Sequence, residues 1–197
     1  MHDFSIIKRH ARGLVESHIH NRGLRNHCYA VGFAMRGLAE HFHDDADLWE
    51  IIGILHDADW EETKDAVDQH TRKTVQWIAD ALKDHDPTQI AIIVRTILSH
   101  NYQSNGEAPP SNVREWSLYC CDELTGLIVA NALIMPSRKL ADVTGESVLK
   151  KMNSKSFAAA VDRSSIRMCE EKLSIPLPSF IQIILHSMQK NAPELGL

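Results

Sequence analysis

Apolar residues recur every three or four positions along almost the whole chain, which is the spacing of one face of an α-helix. This pattern runs from Phe4 to Ile19, stops at residues 21–23, and resumes from Leu24 to Leu38. No stretch alternates between apolar and polar residues for the length of a β-strand. The sequence therefore predicts an all-α protein.

Three later segments are also predicted to be helical. One covers about residues 71–83, and the next begins at Asp86-Pro87, an N-cap followed by a proline in the first turn, and ends near Ser99. Residues 113–135 are apolar on nearly all sides, which is typical of a central, buried helix.

The connections between these helices have their own signals. Asp47 is predicted to be the N-cap of the helix that contains residues 50–55. Residues 60–69 are predicted to form a polar bend. Residues 101–112 contain Asn-Gly and Pro-Pro and are predicted to form a loop.

The length of 197 residues fits a single compact domain. We divide it into an N-terminal helix at residues 1–22, a helical core at residues 23–135, and several shorter helices at residues 136–197.

Composition limits the possible partners and location. The net charge of −5 argues against a nucleic-acid polymer as partner, and the longest apolar stretch is too short to cross a membrane. The four cysteines lack C-x-x-C spacing, and no apolar signal segment is present at the N-terminus, so we expect reduced thiols and a cytoplasmic protein. The oligomeric state is left open between monomer and homodimer. P-loop, G-x-G-x-x-G and G-x-S-x-G motifs are absent.

The candidate chemistry begins where apolar residues 51–55 lead directly into His56 and Asp57. This context carries both side chains toward the interior, where an ionised carboxylate needs a partner or a metal ion. His-Asp occurs three more times, at residues 2–3, 43–44 and 85–86, in polar segments that predict surface positions.

Four more polar residues lie next to apolar segments or begin a predicted helix. They are His27, His70, His100 and Asp122. Each alone is more often a hydrogen-bonded core or helix-end residue than a ligand. Together with His56 and Asp57, they form a nitrogen and oxygen ligand set suited to a divalent metal.

These residues resemble the signature of the HD-domain superfamily of metal-dependent phosphohydrolases. The order His27, His56-Asp57, Asp122 is similar to that signature, and His70 and His100 fall where dinuclear members place two further histidines. Residues 122–128, 147–151 and 157–159 also resemble a subgroup of small bacterial predicted HD hydrolases. The resemblance covers about residues 25–180 and implies a single helical HD domain.

The resemblance also implies a cofactor of one or two divalent ions, chosen from Mn, Fe, Co, Ni, Zn or Mg. The implied ligands are His27, His56, Asp57 and Asp122 for one ion, and Asp57, His70 and His100 for the second. Asp57 would then bridge the two ions, and a metal-activated hydroxide would attack the phosphorus of a small phosphorylated substrate, a nucleotide or related compound.

Other residues are candidates for catalysis and substrate binding. Asp59 is expected either to orient the nucleophile or protonate the leaving group, or to form a salt bridge or helix-end contact instead. Lys150, Lys151 and Arg25 are candidates for holding the substrate phosphate, and a solvated basic face is the alternative for the lysines. Two other functions stay open, an iron-dependent oxygenase such as myo-inositol oxygenase, and a non-catalytic binding module stabilised by metal.

Overall fold

The computed structural model describes residues 4–197, and within that range it contains helices and no β-strand. The α-helices are, in chain order, α1 (Ser5–His18), α2 (Arg22–Phe42), α3 (Ala46–Leu55), α4 (Trp60–Thr63), α5 (Arg72–Ala81), α6 (Pro87–His100), α7 (Tyr102–Asn105), α8 (Val113–Leu133), α9 (Gly145–Met152), α10 (Arg163–Lys172), α11 (Leu177–Lys190) and α12 (Ala192–Leu195). Short 3-10 turns lie at Val67–Gln69 and Leu140–Asp142. The prediction of an all-α fold is confirmed. Nowhere in residues 4–197 is a helix both long and apolar enough to cross a lipid bilayer.

The two predicted N-caps have different outcomes. The Asp86 carboxylate accepts a hydrogen bond from the amide of Thr88 at the start of α6, as predicted. The prediction of Asp47 as the cap of α3 is wrong, because the carboxylate of Asp45 accepts from the amides of Asp47 and Leu48. His43, the C-cap residue of α2, adopts the left-handed conformation, which ends the helix there. Helix α3 then begins two residues earlier than expected.

The two predicted connections contain short helical turns. The bend at residues 60–69 includes α4, and the loop at residues 101–112 includes α7. The loop is anchored by buried Asn105, whose side-chain amide donates to the hydroxyl of Thr71 and the carbonyl of Leu98. It is therefore fixed to both the start of α5 and the end of α6.

The core is built around α2, which packs against α3, α8 and α11. The closest approach is between α2 and α3, where a Cβ added to Gly53 would lie 2.7 Å from the Cα and the amide nitrogen of Gly32. Two glycines facing each other let the two backbones touch. This contact holds the end of α3 against the middle of α2. Helix α8 is largely buried, as predicted, and α10 packs on it.

A buried ion cluster also fixes α3. Glu50 is 1 % exposed, and its carboxylate oxygens lie 2.5 Å from Nζ of Lys8 and 2.8 Å from Nη1 of Arg36. These contacts join α1, α2 and α3, and the two cations compensate the charge of a carboxylate that would be costly to bury alone.

Candidate metal centre

Six side chains from five parts of the chain meet at the end of α3. They are His27 on α2, His56 and Asp57 just after α3, His70 just before α5, His100 at the end of α6, and Asp122 on α8. All but the fully buried His56 line one cavity of about 390 Å3. The structure thus brings together all six residues that the sequence predicted as metal ligands.

The first ligand group consists of His27, His56 and Asp57, whose ligand atoms all lie within 4.8 Å of one another. Asp122 adds a fourth ligand atom. Its Oδ1 is 2.9 Å from Nε2 of His27 and 3.4 Å from Nε2 of His56. The group can therefore offer two nitrogens and two carboxylates to one ion.

The second ligand group consists of Asp57, His70 and His100. Nε2 of His70 lies 3.1 Å from Oδ1 of Asp57 and 3.2 Å from Nε2 of His100. Asp57 belongs to both groups, with Oδ2 on the side of His27 and Oδ1 on the side of His70 and His100. Its carboxylate could therefore serve as a ligand in both groups.

Three of the histidines are oriented in the same way by hydrogen bonds at Nδ1. The acceptors are the carbonyl of Gly53 for His56 (2.8 Å), the carbonyl of Ile97 for His100 (2.6 Å), and Oδ1 of Asp59 for His70 (2.7 Å). A ring that donates from Nδ1 leaves a lone pair on Nε2, which is the arrangement of metal-binding histidines. The three lone pairs converge on Asp57.

Two features of this geometry fit a bound cation. Nε2 of His56 is buried and has no hydrogen-bond partner, which is costly for a polar atom. The Nε2 atoms of His70 and His100 face each other at 3.2 Å, where two lone pairs repel unless a proton or a metal ion lies beside them. The donor set of imidazoles and carboxylates therefore fits divalent metal ions.

The imidazoles and carboxylates of the cluster stabilise each other's charged forms. Burial by itself would lower the pKa of His56, but the carboxylates of Asp57 and Asp122 outweigh it and raise that pKa to about 9. In the same way, burial is outweighed at His70, where Asp57 and Asp59 raise the pKa to about 9. The pKa of Asp57 is well below its usual value, because His56, His100 and His70 outweigh its burial. In the absence of metal, these raised pKa values favour the protonated forms of His56 and His70.

Asp59 does not line the cavity. Its carboxylate is fully buried and accepts from Nδ1 of His70 and from the backbone amides of residues 71, 73 and 74 at the start of α5. Burial raises the pKa of Asp59, but His70 and these amides outweigh it, so the pKa is lowered and the group is ionised. These contacts match the alternative expected for Asp59, a helix-end group, which here also orients His70, and a catalytic role of Asp59 stays a prediction.

The predicted phosphate-binding residues lie elsewhere. Lys150 is exposed on α9, and Nζ of Lys151 lies over the ring of Phe157 at 4.5 Å from its centroid. Arg25 lines a separate cavity beside Glu16. Among residues 4–197, the lining of the metal cavity includes no lysine or arginine. The prediction that Lys150, Lys151 and Arg25 hold the substrate phosphate is therefore not supported.

The other His-Asp pairs do not contribute to the cavity. His43 and Asp44 are exposed at the end of α2. His85 is partly buried against the ring of His10, and Asp86 caps α6. The pair at residues 2–3 lies outside the described residues.

Glu123 is a cavity residue that the sequence reasoning missed. It follows Asp122 on α8 and lines the same cavity, and burial followed by the charge of Asp122 raises its pKa to about 7. Consecutive helical side chains diverge by about 100°, so one of two adjacent acids can face the ions while the other faces the open cavity. The adjacent acids were visible in the sequence, but their directions were not.

Comparison with known proteins agrees with this geometry. The family model described as HD domain matches residues 24–135, more than half of the chain, and this span contains all six candidate ligands. No match was found among curated proteins or among solved structures. The chain belongs to the HD domain family, within a superfamily of metal-dependent hydrolases.

Proposed function

We propose that this protein is a metal-dependent phosphohydrolase that cleaves a phosphoester of a small metabolite. The observation that carries the proposal is the pair of ligand groups that share Asp57 at the floor of one open cavity. Divalent ions held there would supply Lewis acidity, which activates water and neutralises charge on a phosphoryl group. A cavity of this volume suits a small molecule.

The cavity itself is acidic. Asp57, Asp122 and Glu123 line it, and among residues 4–197 no lysine or arginine does. A phosphate group would find no lysine or arginine among residues 4–197 in this lining, and bound metal ions would supply that positive charge, so substrate binding and metal binding are expected to be coupled.

Glu123 is the acid in the cavity that neither ligand group includes. We assign it the role proposed earlier for Asp59, which is to hold a proton on its carboxyl oxygen and pass it to the leaving oxygen of the ester.

The proposal also includes a cytoplasmic location, a monomer or homodimer, and no nucleic-acid polymer or membrane as partner. The expectation of a nucleotide or related substrate stays a prediction.

The test combines metal analysis with a phosphoester screen. Protein purified without chelator is expected to contain about one or two equivalents of divalent metal and to release phosphate from members of the panel. Asp57→Ala is expected to lose metal and activity together. His85→Ala, which changes another His-Asp pair away from the cavity, is expected to keep both.

Two results would contradict the proposal. A folded protein that binds no metal would remove its basis. A fully metallated protein that releases no phosphate, but consumes oxygen when loaded with iron, would support the oxygenase alternative instead.

A further inference from the structure

A second cavity, of about 520 Å3, adjoins the metal cavity, and His27 and Gly126 line both. Its other walls are formed by α2, α8 and the segment around α12. They are mainly apolar, with Val129, Leu133 and Leu195 among the lining residues. A molecule bound at the metal centre could therefore extend past Gly126 into an apolar space.

Gly126 keeps the junction of the two cavities open. It lies one turn after Asp122 on α8, and a Cβ added there would have no atom within 4 Å. Glycine is unfavourable in the interior of a helix, and no close backbone contact at this position requires it, in contrast to Gly53. The missing side chain leaves space that is continuous with the metal cavity.

The chemistry of the second cavity selects among phosphoesters. Within the described residues, its lining contains no Phe, Tyr or Trp on which a nucleobase could stack, and its polar side chains are Arg22, Asn26 and His27. Leu133 is 51 % exposed although it is a large apolar residue, and it lines this cavity. Aliphatic walls of this kind favour an apolar organic group over a nucleoside.

We propose that the substrate is a phosphomonoester of an apolar alcohol, whose organic group occupies this second cavity while its phosphate lies at the metal centre. This inference rests on the proposed function. Hydrolysis would break the bond between phosphorus and the ester oxygen. Water would supply the oxygen that joins phosphorus, Glu123 would pass its proton to the leaving oxygen, and a proton from that water would restore Glu123, which gives the free alcohol and inorganic phosphate.

The experiment uses n-alkyl phosphates from ethyl to octyl on the metal-loaded protein. Their leaving groups have nearly the same pKa, so differences in kcat/KM report binding of the chain. We expect kcat/KM to rise about fourfold per methylene until the cavity is filled. Binding of the matching n-alkylphosphonates, which cannot be hydrolysed, is measured by calorimetry and is expected to show the same dependence on chain length.

Two pairs of variants test whether the dependence on chain length arises in the second cavity. Gly126→Leu is expected to flatten the chain-length dependence in both measurements, whereas Gly13→Leu, at an exposed helical glycine with the same free space, is expected to keep it. Leu133→Ser is expected to reduce the gain for the longer chains. Its neighbour Ile134 is 56 % exposed but does not line the cavity, so Ile134→Ser is the control.

The outcomes separate this inference from the proposed function. If phosphonate affinity rises with chain length but no ester is hydrolysed, the apolar subsite stands and the hydrolase proposal falls. If phosphate is released with no chain-length dependence, or if that dependence persists in both Gly126→Leu and Leu133→Ser, the inference is overturned. Nucleoside monophosphates cleaved far faster than every alkyl phosphate, in wild type and Gly126→Leu alike, would also overturn it. If Gly126→Leu does not fold, the Leu133 and Ile134 pair decides.

Discussion

Asp57 belongs to both ligand groups. The histidines that face it are held in place by hydrogen bonds to other groups. His56 and His100 are oriented by backbone carbonyls of their own helical segments, but His70 is oriented by the carboxylate of Asp59. That carboxylate also holds the first amides of α5. Asp59 is therefore a positioning residue for His70.

Asp59→Asn tests this role. The amide side chain cannot accept from both His70 and the α5 backbone as the carboxylate does, so His70 should lose its fixed orientation. We expect metal affinity to fall about 10–100-fold, measured by competition with a chelator. The variant should recover activity at high metal concentration. If activity is lost while metal affinity is unchanged, Asp59 acts in the chemistry itself.

Glu123→Gln tests the acid that faces the open cavity. We expect metal content to stay unchanged and kcat for alkyl phosphates to fall about 100-fold, because the leaving oxygen loses its proton donor. An ester with a good leaving group, such as a nitrophenyl phosphate, needs little protonation and should be affected much less. An equal loss for both esters would contradict the assignment of Glu123 as the acid.

The contrast between Asp57 and Asp59 shows what sequence could predict at the level of single residues. The apolar run before His56 predicted that both His56 and Asp57 turn inward, and they do. The direction of Asp59 depends on where the start of α5 lies, and α5 comes from residues more than ten positions later. Lys150 and Lys151 resembled a family pattern, but their helix is not part of the cavity wall.

At the level of elements, the crossing of α2 and α3 determines where the ligands meet. Gly32 and Gly53 allow the two helix backbones to touch, and His56 follows Gly53 by less than one turn. Helix periodicity predicted α2 and α3 separately. It could not predict their contact, because two small residues give no signal about which helices they bring together.

A matched pair of glycine variants tests this contact. Gly53→Ala places a methyl group 2.7 Å from the backbone of α2, and we expect the free energy of unfolding to fall by about 1–3 kcal/mol. Metal content should fall with it, because α3 must move. Gly126→Ala meets no atom within 4 Å and should raise the free energy of unfolding by up to about 1 kcal/mol. Urea unfolding measures both, and equal effects of the two variants would contradict this account.

At the level of the whole molecule, the ion cluster at Glu50 and the metal centre lie at different parts of the same helix α3. The first cluster contains its own cations, Lys8 and Arg36, and is complete within the protein. The second has carboxylates and imidazoles only, so its positive charge must come from protons or metal ions. Composition could not distinguish these two buried sites, because the difference lies in which side chains the packing of the helices brings to each carboxylate.

The proton-occupied state of the metal centre gives the chelator-treated protein a distinct dependence on pH. The pKa values of His56 and His70 are about 9 in the folded protein against 6.5 for an ordinary histidine, so the folded state binds more protons than the unfolded state between these values. Their stabilising contribution should be complete below pH 6.5, decrease as the pH rises toward 9, and be lost above it. We expect a fall in the free energy of unfolding on the order of 1 kcal/mol per pH unit across this window, measured by urea unfolding. Metal-loaded protein should not show this fall, since metal ions replace the protons, and a chelator-treated protein equally stable at pH 6.5 and pH 9 would contradict the proposed charge balance.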